Sequence, residues 1–190
     1  MAILHRAWTF DAAALAGRVA SIVRAGGAPA LRETARWTVA AGDAGTAAAL
    51  GELRFDSDWL APPDELSARA VESVVIILAA QLTHAPSIAG HVKLGRVLLE
   101  CGWTGADVGL LFHGRALETM FDVSADRELA RCIAGINQYG GWIPHDDAIS
   151  LRRRLEGLPP AVPAKQALQE ARAMLAAAEQ RAADLFVILD

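Results

Sequence analysis

Apolar positions recur along most of this chain at helical spacing. Asp11 stands where an N-cap belongs, and Leu15, Val19 and Ile22 follow as one stripe. Gly26-Gly27 ends that helix. Pro29 opens the next, with Leu31, Ala35 and Thr38 on one side, and Gly42-Asp43 breaks it. A short helix is expected from about Thr46 to Leu53, and then a loop, Arg54 to Leu60, with Phe55 and Trp59 as anchors.

The most apolar run is Val71–Leu82. It lies in a stretch with no Asp, Glu, Lys or Arg between Glu72 and Lys93. Pro62-Pro63-Asp64-Glu65 is a strong helix start, so the pattern predicts a central helix from there to about Thr83, covered on nearly every side. The β-branched residues between Val71 and Ile77 leave a buried strand after Ser73 as the rival reading. Gln81, Thr83, His84, Pro86, Ser87 and Gly90 make the second half too polar for a membrane span.

Beyond Pro86, Ser87 is the expected cap of a helix carrying Leu94, Val97, Leu98 and Cys101 and stopping at Gly102. Thr104-Gly-Ala-Asp107 has capping-box spacing ahead of Val108, Leu111 and Phe112. Ser124 is the expected cap of a helix with the stripe Leu129, Cys132, Ile133 and Ile136. Tyr139-Gly-Gly-Trp142 reads as a turn between helices. Pro144 starts another helix, acidic at its beginning (Asp146, Asp147), basic at its end (Arg152 to Arg154) and stopped by Gly157. A proline-rich connector, Pro159 to Pro163, leads to the last helix, with Leu168, Ala171, Leu175, Ala178 and Ala182 on one face.

Two short segments do not follow the helical period. Ile3 to Thr9 alternates weakly, and Leu185-Phe-Val-Ile-Leu189 is a compact β-prone run that either pairs with it or ends the last helix. The expected fold is therefore mainly α: a single-domain multi-helix bundle over residues 1–190 around a buried central helix, with room for two short strands at the termini.

Composition narrows the class. The hydrophobic fraction of 53% and charged fraction of 21% describe a globular chain. The net charge of −4 argues against chain-wide attraction to nucleic acid or anionic membrane. Cys101 and Cys132 fall on apolar sides of their helices and read as buried reduced thiols. The N-terminus lacks a signal-peptide pattern, which makes the cytoplasm the default location.

The chain carries no phosphate loop, dinucleotide fingerprint, zinc-protease motif, CxxC pair, nucleophile elbow or EF-hand. His84 and His91 are separated by Pro86, so their spacing predicts no shared metal-binding face, and no metal or cofactor is expected. His113-Gly114-Arg115 with Glu118 is the most function-like stretch, suited to an anion or to acid–base work. Its structural alternative is a helix ending at Gly114, with Arg115 paired to Glu118. Tyr139-Gly-Gly-Trp142 followed by His145, Asp146 and Asp147 is the second candidate. Arg152 to Arg154 point in different directions around a helix and read as a solvated last turn.

The chain's five tryptophans lie near element boundaries, a placement common to core edges and to interface anchors. The leading expectation is a non-catalytic binding protein: an accessory, regulatory or immunity-like factor. It would contact a protein partner or a second copy through Trp103, His113, Arg115, Tyr139 and Trp142. The first rival is a small enzyme acting on an anionic substrate through His113, Arg115, Glu118, His145 and Asp146. The second is a helical domain binding an apolar small molecule beside Val71–Leu82.

Overall fold

A computed structural model of the chain describes residues 5–41, 82–133, 140–159 and 163–189. The elements begin with β1 (His5–Phe10), α1 (Ala12–Ala41), β2 (Thr83–Ile88), α2 (His91–Glu100) and α3 (Gly105–His113). They continue with β3 (Arg115–Ala116), a 3-10 turn (Leu117–Met120), α4 (Arg127–Ile133), β4 (Gly140–Ile143), α5 (His145–Glu156), α6 (Lys165–Arg181) and β5 (Asp184–Leu189). Two compact units result. The first comprises Met1–Phe10, Thr83–Arg115 and Tyr139–Asp190; the second comprises Asp11–Leu82 and Ala116–Gln138.

The expected helical bundle is overturned by a five-stranded sheet of order β2-β1-β5-β4-β3. β1 runs antiparallel to both β2 and β5, and β4 runs antiparallel to β5. The two terminal segments pair in register from His5 opposite Leu189 to Phe10 opposite Asp184. Leu185, Phe186, Val187 and Ile188 are all buried. Successive strand residues point to opposite faces, so this run is continuous because both faces of β5 are covered.

The two faces differ in kind. Trp8, Phe186 and Trp142 are cross-strand neighbours and form an aromatic row on one face. Ala7, Val187 and Gly141 are in register on the other. On that second face Ala7, Ala85, Ile143, Leu185 and Val187 join a core with Leu94 and Leu98 of α2, Leu111 and Phe112 of α3, Leu151 and Leu155 of α5, and Met174 and Leu175 of α6. Each fully buried side chain of this size contributes about 1.5–3 kcal/mol.

Three local expectations within this unit are corrected. Thr83 does not end a helix, and Pro86 does not stop one; both belong to β2. Proline is tolerated because β2 is the outermost strand and Pro86 falls at the irregularity in its pairing with β1, between the pairs Ala7–Ala85 and His5–Ile88. Ser87 lies in that strand too, so α2 starts after Gly90, in the left-handed conformation (φ 75°), and has no side-chain cap. Gly140–Trp142 is not a turn between helices, since Gly140–Ile143 is a strand. Its backbone groups are satisfied by β5, a partner distant in sequence. Cys101 is exposed just past the end of α2, not buried.

In the second unit, the Ala14 N–H donates to Asp11 Oδ1 at 2.8 Å, as the cap reading expects. α1 is broken at Gly26 and Gly27, and Gly27 takes φ 64°. α4 packs on α1, with Arg24 Nε 3.5 Å from Asp126 Oδ2. The cap of α4 is Asp126, whose Oδ1 accepts from the Leu129 N–H at 2.9 Å. Ser124, the expected cap, instead gives its N–H and hydroxyl to Asp122. The Val71–Leu82 run, the helix before it and the Arg54–Leu60 loop lie outside the described residues, apart from Leu82, which is buried. Among the described residues, no helix is long and apolar enough to cross a membrane.

Candidate functional site

The two stretches singled out in the sequence meet in the first unit, at the carboxyl end of α3. Thr104 and Asp107 form the expected capping box at the start of that helix. Gly114 ends it with φ 68°, a conformation that disfavours any side chain. β4 runs directly against this end. A β-carbon on Gly141 would lie 1.8 Å from the His113 carbonyl oxygen and 2.9 Å from that of Arg115. One on Gly114 would lie 2.6 Å from the Trp142 nitrogen. Two glycines therefore let main chain meet main chain.

Side chains complete the junction. Arg115 Nη2 lies 2.6 Å from Asp147 Oδ2 in the first turn of α5. The contact is an ion pair without aligned hydrogen-bond geometry, and Arg115 remains 51% exposed. Arg115 is thus paired with Asp147 and not with Glu118. The His145 N–H donates to Asp184 Oδ1 at 2.9 Å, so the start of β5 supplies the cap that Pro144 cannot. The His145 ring is half-buried, and its Nδ1 is enclosed without a hydrogen-bond partner. His113 and Asp146 are exposed.

Two further imidazoles pack against Phe112, the residue before His113. The His5 ring meets the Phe112 ring edge-on at 5.8 Å, and the His91 ring meets it at 5.7 Å. His5 is wholly buried, and neither of its ring nitrogens has a partner at full hydrogen-bond geometry. Burial pushes its pKa down to about 4, helped by His91 and His113 and opposed by backbone groups of Phe112 and of His5 itself. Burial also lowers His91, with His113 acting in the same direction. Four of the five histidines therefore sit on elements that converge on this end of α3. Sequence reasoning missed His5; its signal was a histidine two residues before Ala7, on the same face of a short strand.

The remaining predicted residues are spread out. Trp103 is buried, with the Arg154 guanidinium 4.4 Å above its ring. Arg154 also pairs with Asp107, whose pKa is lowered to about 2 chiefly by that bond and by Thr104. Trp142 is half-buried and belongs to the aromatic row, on the sheet face opposite Gly141. Glu118 belongs to the second unit. Tyr139 lies outside the described residues. Among the described residues, no three His, Cys, Asp or Glu side chains are placed to hold a metal ion.

In chemical terms, the junction offers an exposed imidazole, a half-exposed guanidinium and an exposed carboxylate on a rigid main chain. Compared with known protein families, curated proteins and solved structures, the chain finds no match in any of the three.

Proposed function

We propose that this chain works by binding a partner protein through the junction of α3, β3 and α5, with His113, Arg115 and Asp146 as the contacting side chains. The observation that carries this reading is the backbone contact between Gly114 and Gly141. It fixes two charged, exposed stretches on one rigid frame, so little ordering entropy is lost on docking. Arg115 already accepts a carboxylate, that of Asp147, which makes an acidic side chain its natural partner chemistry. Charges at such a rim set orientation and partner choice more than raw affinity.

The acid–base reading is less well supported. Arg115 is engaged by Asp147, and Glu118 belongs to the other unit. The apolar-ligand reading concerns Val71–Leu82, outside the described residues.

A photo-crosslinking amino acid placed at Asp146, with the same probe at exposed Gln180 of α6 as control, tests the proposal. The expected result in cells is a discrete protein adduct from position 146 alone, lost when Arg115→Glu is added. Equal labelling from both positions, or an adduct indifferent to Arg115→Glu, would refute it.

A further inference from the structure

We infer that His5, His91 and His113, gathered around Phe112, form an acid-sensitive latch that holds β1 to the carboxyl end of α3 and lets go when the cluster takes up protons. A buried polar group normally has a hydrogen-bond partner, and those that lack one mark strain or function. His5 has no surface in contact with solvent and no full partner at either ring nitrogen. Burial disfavours its charged form, and the backbone of Phe112 offsets that only in part. The Phe112 ring stands nearly perpendicular to the imidazole, and the strand neighbours of His5 are Ile88 on β2 and Leu189 on β5.

The charged neighbours sharpen the effect. The titratable side chains acting on His5 are His91 from α2 and His113 from α3, and both oppose its protonation. No carboxylate among the described residues acts on it. Arg6, next along β1, points to the other face of the sheet. As pH falls, protonation of His91, which its burial opposes, adds positive charge beside His5 and the apolar Phe112 ring. Histidine is the side chain whose ordinary titration makes such a change between neutral and mildly acidic conditions.

The charged form of His5 is disfavoured in its buried site and favoured in water, so protonation draws the ring out and separates β1 from Phe112. The helix end that carries His113 and Arg115 loses its support at the same time. The latch itself stands independently of the docking proposal, because its test needs no partner.

The test follows hydrogen exchange of β1 and α3, together with tryptophan fluorescence from buried Trp8, as pH is lowered from 7.5 to 4. The expected result is reversible loss of protection in both elements below about pH 6.5. His5→Leu, similar in volume, is expected to remain protected through the same range. The His91→Gln, His113→Gln double variant keeps His5 but removes both neighbouring charges, and its transition is expected at lower pH. Protection that survives to pH 4 in the natural chain, or a transition unmoved in His5→Leu, overturns the proposal. Where His5→Leu fails to fold, an unmoved transition in the double variant overturns it equally.

Discussion

The main chain of Gly141 runs so close to the carbonyl of His113 that a β-carbon there would sit 1.8 Å from the oxygen. No rotamer relieves such a clash, because both parties are backbone. Gly141→Ala should therefore push β4 away from α3 and destabilise the fold by about 3 kcal/mol or more. Gly109→Ala is the informative control. It lies inside α3 with nothing within 4 Å of its added methyl, and should stabilise by roughly 0.5–1 kcal/mol. Urea denaturation of the two variants reads both signs.

Stability should fall with acid because of His5. Its folded pKa, about 4, lies below the ordinary 6.5. The unfolded chain therefore binds this proton first. The contribution is fully present above pH 6.5, declines as pH falls towards 4, and levels off below that. The loss amounts to at most about 3 kcal/mol over the window. Chemical denaturation midpoints at pH 7.5, 6, 5 and 4 would trace it, and His5→Leu should flatten the curve across that range.

The capping box of α3 allows a smaller prediction. The Asp107 N–H donates to Thr104 Oγ1 at 3.1 Å, and the Thr104 N–H donates to Asp107 Oδ2 at 3.0 Å. Thr104→Ala should cost about 1 kcal/mol, whereas Thr104→Ser should be nearly silent. Thermal denaturation distinguishes the two. The depressed pKa of Asp107 places its own effect elsewhere: its contribution is present above pH 3.8 and is lost as pH falls through about 2. It therefore does not overlap the histidine window.

Asp184 caps α5 from a strand thirty-nine residues away in sequence. Asp184→Ala removes the acceptor for the His145 N–H and should cost about 1 kcal/mol. Asp184→Asn keeps a side-chain oxygen and should retain most of that. Amide exchange at His145 is the direct readout, since only loss of the cap exposes that N–H to solvent.

Punctuation within the chain was legible from local chemistry. Asp11, Gly26-Gly27, the Thr104–Asp107 box, Gly114 and Pro144 act through backbone groups a few residues away, so sequence alone located those starts and stops. The run at Leu185–Leu189 was legible as β-prone, since a strand covered on both faces needs an unbroken apolar sequence, but a helix end was equally compatible with it until β1 and β4 were seen beside it. What sequence could not reveal was sheet membership. Thr83–Ile88 contains Pro86, and Gly140–Ile143 begins with two glycines, so neither has strong strand propensity. Each is a strand because β1 or β5 lies beside it and satisfies its hydrogen bonds, and that partner is remote in sequence. The site follows the same division. His113, Arg115, His145 and Asp146 were recognisable as chemistry-bearing residues, but their meeting depends on two glycines that allow backbone to touch backbone. His5 became notable only once the sheet and α3 had closed over it. Local sequence determined several of the helix starts and stops, while long-range pairing and burial decided which segments became strands and which histidines lost their water.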